Sequence, residues 1–143
     1  MERKEKIAFI FPAAQDTNGN EGPILNFQCE KLPVDTKITV AAAFVGLKQL
    51  KEYLISLDII DKSGVTILKE PPDKLPVKIP VTANDDDADP VDVPGFLRAE
   101  LSVKMASVGV HTIKISISSV DEPSKVLHKT ESRFRVFRKG EWK

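Results

Sequence analysis

Apolar and polar residues alternate with a period of two along most of the chain, the spacing that puts successive side chains on opposite faces of a β-strand. Residues 96–105 show it most clearly. Leu97, Ala99, Leu101, Val103 and Met105 share one side, and Arg98, Glu100, Ser102 and Lys104 share the other. After Ser107-Val108-Gly109 the alternation resumes, with His111, Ile113, Ile115 and Ile117 set against Thr112, Lys114, Ser116 and Ser118. A turn over residues 120–125 leads to residues 126–137, where Lys129, Glu131, Arg133 and Arg135 face water and Thr130, Phe134 and Val136 face inward. These three segments predict an antiparallel meander with one wet face.

The same period recurs upstream. Ile38, Val40, Ala42 and Phe44 alternate with Lys37, Thr39, Ala41 and Ala43, and Tyr53, Ile55, Leu57 and Ile59 with Leu54, Ser56, Asp58 and Ile60. Between them Leu47, Leu50 and Leu54 fall at helical spacing. Gly46 opens that stretch and only about two turns fit, too few for a stable isolated helix, so a connecting turn is expected. Asp61-Lys62-Ser63-Gly64 supplies a tight turn, and residues 65–68 read as the returning arm of a hairpin. Leu25, Phe27 and Cys29 are expected on an inward face, opposite Ile24, Asn26 and Gln28. Residues 7–11 are apolar on both faces, the pattern of a strand buried between two layers and entered from a solvated tail.

Prolines at 71, 72, 76, 80, 90 and 94 exclude a central strand from that region, because each removes a ladder donor. Val77, Ile79 and Val81 still alternate, which suits a short edge strand. Residues 84–92 are the most acidic stretch and read as an exposed loop, disordered at its tip. Residues 15–23 are all turn formers and read as a second loop. The expected architecture is all-β: an antiparallel two-sheet sandwich of roughly seven or eight strands with little helix. It occupies residues 1–143 as one domain, with an acidic, proline-rich loop at about 70–95.

Gly109-Val110-His111, followed by alternating β-branched residues through Ile117, resembles the penultimate strand of immunoglobulin-like and fibronectin-like sandwiches. There a ring, usually tyrosine, bonds back to the neighbouring connection; His111 holds that place here. The chain also resembles small bacterial and bacteriophage β-sandwich proteins of unknown function. In those, a strand ending in an Asp-x-x-Gly turn (here residues 55–64) is followed by such a glycine-led strand and a final C-terminal one. That likeness runs over residues 37–138. The cysteine–tryptophan–cysteine core of antibody domains is missing, since Cys29 is the one cysteine and Trp142 the one tryptophan. The resemblance implies a fold and no activity.

Composition narrows the chemistry. Among 143 residues, 21 Lys and Arg balance 21 Asp and Glu, which removes a whole-molecule attraction for nucleic acid or an anionic membrane. No stretch approaches the ~20 apolar residues of a spanning helix. The basic start and apolar residues 7–11 look superficially like a secretory leader, but about five apolar residues fall short of its core. A lone cysteine agrees with a reducing compartment, so a cytoplasmic address is expected. Two histidines and one cysteine are too few for a structural zinc site. Gly-x-Ser-x-Gly, glycine-rich phosphate-loop and His-Glu-x-x-His patterns do not occur. No enzyme and no cofactor are expected.

Three clusters remain. Asp85, Asp86, Asp87 and Asp89 are candidate calcium ligands, similar to the aspartate-rich loops of C2-type sandwiches. Calcium takes about 6–8 converging oxygens, so a solvated loop is the favoured reading. Residues 16–22 alternate Asp, Asn and Asn, but Glu21 and Phe27 stand where a calcium loop of the EF-hand type needs Gly and Glu. Arg133, Arg135, Arg138 and Trp142, interleaved with Phe134 and Phe137, form a basic aromatic strip. Alternation explains that strip, which also suits single-stranded nucleic acid or protection of a sheet edge. His111 and Cys29 are expected as core residues, the first hydrogen-bonded, the second acting as a small hydrophobe. An acidic loop and a basic end favour self-association or docking to a protein partner. The expected function is a protein–protein interaction or structural module presenting residues 16–22 and 84–92. The alternatives are calcium-dependent binding through 84–92 and nucleic-acid binding through the C-terminal strip.

Overall fold

The computed structural model describes residues 5–15, 21–69 and 76–138. They form nine strands: β1 (Lys6–Gln15), β2 (Glu21–Pro23), β3 (Asn26–Cys29), β4 (Val34–Leu47), β5 (Glu52–Ile60), β6 (Val77–Thr82), β7 (Val93–Met105), β8 (Gly109–Ser119) and β9 (Glu122–Arg138). The strand not expected is β2, three residues long, in a stretch read as loop. Two sheets result, β2-β1-β4-β7 and β3-β9-β8-β5-β6. Every pairing is antiparallel except that of β3 with β9, which is parallel.

The inward set of each strand meets in one core. Tyr53, Ile55, Leu57 and Ile59 from β5 and Ile113, Ile115 and Ile117 from β8 cluster with Ile38, Val40, Leu101 and Val103 of the other sheet. All are almost fully buried, and each such aliphatic side chain contributes about 1.5–3 kcal/mol by leaving water. Residues 77–82 form the edge strand their alternation predicts, on the outer side of β5.

Alternation identifies an amphipathic strand without saying which sheet it joins, and here the meander expectation is corrected. β7 pairs with β4 in the four-stranded sheet, while β8 pairs with β9 and β5 in the other. The chain therefore crosses between sheets at residues 106–108. The turn after β5 forms as expected, with Gly64 at φ 84° and its N–H donating to the Asp61 carbonyl at 3.0 Å. Its returning arm does not persist as a strand. A single bridge joins Thr66 to Ile60, and Leu68 then bridges to Val103 of β7. Residues 65–69 thus lace the sheets together along one side. On the opposite side β2 lies on β1 and β3 on β9, so the chain crosses there too. Such crossings cover edges that would otherwise pair with foreign strands.

Residues 7–11 do not lie between two layers. The register shifts between Ile7 and Phe9, inserting Ala8 as an extra residue. The phase flips across this bulge. Ile7 and Ile10 both enter the core, while Phe9 turns outward and is 49% exposed. Leu25, expected inward, is 63% exposed, whereas Phe27 and Cys29 pack against the core.

The register also sorts the connections by end. Residues 48–51, 83–92 and 120–121 gather with the start of β1 at one end; residues 30–33, 61–64 and 106–108 gather with the end of β9 at the other.

Candidate functional site

The acidic loop is tightly built, not a loose tip. Asp85 Oδ1 accepts the Asp87 N–H at 3.1 Å and Asp89 Oδ1 the Val91 N–H at 3.1 Å. Asp92 Oδ1 accepts the Gly46 N–H at 3.0 Å, across the base of the loop. Gln49 ties it to the β4–β5 turn, donating from its amide to Asn84 Oδ1 and accepting the Asp85 N–H. These short side chains satisfy local backbone donors, the usual reason for Asp and Asn in turns. Asp86 is exposed beside them. Among the described residues no three His, Cys, Asp or Glu side chains are gathered in a group able to hold a metal ion. Residues 16–20 lie outside the described residues, and the strands that bracket them end near Thr39, at the far end of the sandwich from residues 84–92.

The C-terminal strip divides by face. Arg133, Arg135 and Arg138 are exposed, and Arg133 pairs with Glu131 at 3.4 Å. Phe134 is buried in the core, edge-on to Phe27 at 5.1 Å and stacked with His111 at 5.4 Å. Trp142 lies outside the described residues. His111 is fully buried. Its Nδ1 lies 3.1 Å from the Gly109 carbonyl and donates to it when it carries the proton, while Nε2 has no partner. Burial pushes the Cys29 thiol above its ordinary range, which suppresses the reactive thiolate.

One polar cluster escaped the sequence reading. Glu5, read as part of a solvated tail, is 9% exposed. Its Oε2 accepts from the Tyr53 hydroxyl at 2.9 Å and from Lys51 Nζ at 3.1 Å. Burial pushes the Glu5 carboxyl up, but these two bonds and the lysine charge outweigh it and hold the group below its ordinary value. Burial, then the neighbouring Glu5 against a backbone bond from Lys48, leaves the Tyr53 hydroxyl well above its usual range. Nearby, the Ile7 N–H donates to His128 Nδ1 at 3.0 Å, joining β1 to the opposite sheet. Charged residues at a chain start carry no signal of such burial.

The outer faces of the two sheets differ. On the five-stranded sheet Ser56, Asp58, Lys114, Ser116, Lys129 and Glu131, with Pro76 and Val126, line a groove of about 560 Å³. On the four-stranded sheet the outward face carries an apolar patch among charged residues that include Lys37, Arg98 and Glu100. Phe9 stands opposite Ala43, which stands opposite Phe96; Phe11 stands opposite Ala41, which stands opposite Arg98. Phe96 is 64% exposed, and Val45 above them is exposed as well. Apart from Ala41, these apolar side chains retain solvent-accessible surface, and none belongs to the core cluster. The Phe9 and Phe11 rings stack at 5.7 Å with planes 18° apart. The result is an aromatic ridge on β1 beside an alanine trough on β4. Taking strands about 4.8 Å apart and outward residues about 7 Å apart along each, the patch covers on the order of 200 Å² of the sheet.

No protein-family model and no curated protein matches the sequence. Solved structures do match in fold. A β-glucuronidase of glycoside hydrolase family 2 aligns with TM-score 0.55 and 12% identity over 90% of this chain, which spans 12% of the enzyme. A Mobiluncus mulieris adhesin with intramolecular disulfide, isopeptide and ester cross-links aligns with TM-score 0.56 and 9% identity, over 94% of this chain and 58% of its own. An immunoglobulin-like protein from Pseudomonas aeruginosa aligns at 12% identity and TM-score 0.35, over 95% of this chain and 98% of its own. The fold class rests on the sheet order itself, in which β1, β4 and β7 take the places of strands A, B and E of the immunoglobulin sandwich, and β5, β8 and β9 those of C, F and G. The fold is an immunoglobulin-like β-sandwich. At these identities the likeness concerns fold alone. Among the described residues no helix is long and apolar enough to cross a membrane.

Proposed function

We propose that this chain is a protein–protein interaction module whose working surface is the outer face of β1, β4 and β7. The observation that carries the reading is the row Phe9–Ala43–Phe96. Its two aromatic members are exposed on a regular, rigid sheet, where they give up apolar burial unless a partner covers them. No catalytic role is assigned to any residue, and a cytoplasmic address remains part of the proposal.

A photoreactive residue placed at position 96 and irradiated in the native host tests it. The expected product is a discrete covalent adduct with protein. Absence of any adduct at position 96, with the folded module present, overturns the reading.

A further inference from the structure

We propose that the open edge of β9 joins two copies of the chain, making one continuous sheet of their five-stranded sheets about a two-fold axis at Thr130. The contact lies apart from the face that carries Phe9 and Phe96 and stands without it.

The ladder sets which backbone groups look outward. The Arg135 N–H donates to the Leu25 carbonyl at 2.8 Å, on the side away from β8. Residues 128–136 pair with β8 without a register shift. Lys129, Glu131 and Arg133 therefore turn their N–H and C=O groups to that same side. β3 covers β9 only from Arg135 to Arg138. Among the described residues no backbone group pairs with the outward side of residues 129–133. β1 passes on the core side, where the Ile7 N–H donates to His128 Nδ1, and its own ladder is with β4. Two other edges are guarded. Ser102 and Lys104 of β7 bond to residues 69 and 67, and β6 turns Pro80, which has no N–H, outward.

Lysines along an edge usually deter pairing. Here they select a register, because an acidic residue stands two positions on. Antiparallel self-pairing centred on Lys129 or on Glu131 sets that charge against its own copy, which is unfavourable. Centred on Ser132, it needs position 135, whose N–H Leu25 already holds. Centred on Thr130, it sets Lys129 of each copy opposite Glu131 of the other, and each such pair exchanges both of its N–H···O bonds. This register uses residues 127–133 and stops short of β3. Glu131 already accepts from Arg133 of its own chain at 3.4 Å, so the partner's Lys129 extends an existing ion pair. The contact repeats itself under the two-fold, as an isologous interface requires.

Sedimentation of the purified chain from about 10 μM to about 1 mM tests the proposal. The expected result is a monomer at the low end that shifts to a dimer at the high end. Glu131→Lys is expected to weaken association at least tenfold with circular dichroism unchanged, since both residues are exposed. Lys129→Glu combined with Glu131→Lys restores opposite charges across the axis and is expected to restore the dimer. The register has its own readout. Across the axis Thr130 meets its copy as a non-hydrogen-bonded pair, with Cα atoms about 4.5 Å apart, within disulfide reach. In a Cys29→Ser background, Thr130→Cys is expected to link the copies on oxidation and Ser132→Cys is not. A monomer throughout the range overturns the proposal. So does a dimer indifferent to Glu131→Lys, a charge exchange that fails to rescue, or a link that forms at 132 and not at 130.

Discussion

Gly109 illustrates how much a single residue can hold. Its φ of 116° lies where side chains strain the backbone, at the point where the chain enters β8 and His111 bonds back to it. A Cβ there meets only the flexible Lys62 side chain at 3.1 Å, so the cost of Gly109→Ala comes from backbone conformation. The substitution is expected to destabilise by more than about 1 kcal/mol, measured by urea unfolding. Glu5 makes a second case. Its carboxyl titrates lower in the folded chain than its ordinary 4.5. Ionised Glu5 thus contributes stability that is fully present above about pH 4.5 and is lost as pH falls through the lower folded value. Unfolding free energies between pH 3 and 7 (~1.4 kcal/mol per pKa unit at most) are expected to fall less steeply with acid in Glu5→Gln than in the wild type. The glycine is legible in sequence as a turn residue. The glutamate is not, because its partners come from β5 and the preceding turn, 46 and 48 positions away.

Elements obey alternation until a bulge resets it. Ile7 and Ile10, and again Phe44 and Leu47, enter the core three residues apart, each pair spanning a register shift. A reading with period two assigns Phe9 and Phe11 to the wrong company for this reason. The second bulge depends on Asp92, whose carboxylate holds the Gly46 N–H. Asp92→Ala is expected to cost about 1 kcal/mol and to raise hydrogen exchange at residue 46, because a part-buried donor loses its partner. The same engagement of the loop's carboxylates bears on calcium. Asp85, Asp89 and Asp92 already accept backbone donors, so millimolar calcium is expected to leave the melting temperature unchanged. A ligand at 100 times its dissociation constant would add about 2.7 kcal/mol and be plain in a melt. The loop's turn chemistry was legible in its Asp and Asn; its ties to Gln49 and Gly46 depended on the β4–β5 turn lying beside it.

At the scale of the whole molecule, two sheets cover one core and leave two outer faces, one polar and one with an apolar patch among charged residues. The polar one is what alternation predicts for β5, β8 and β9. The apolar patch exists because three strands remote in sequence place Phe9, Ala43 and Phe96 in one row. Phe9→Ser combined with Phe96→Ser is expected to raise solubility and to shift stability by about 1 kcal/mol or less, since both rings are exposed. Precipitation thresholds and urea midpoints check both halves of that expectation. Charge is distributed by end as well, with residues 84–92 and the C-terminal arginines of β9 at opposite ends.

By itself the sequence determined the long strands β4, β5, β7, β8 and β9, most of their inward residues and the sandwich class, because side-chain period and turn chemistry are local properties that each segment carries alone. Only the tertiary structure decided that β7 leaves its sequence neighbours for the other sheet, that bulges turn Phe9 outward, and that Glu5 is buried. Those outcomes depend on which surfaces meet, and burial is a property of a pair of surfaces, never of one segment.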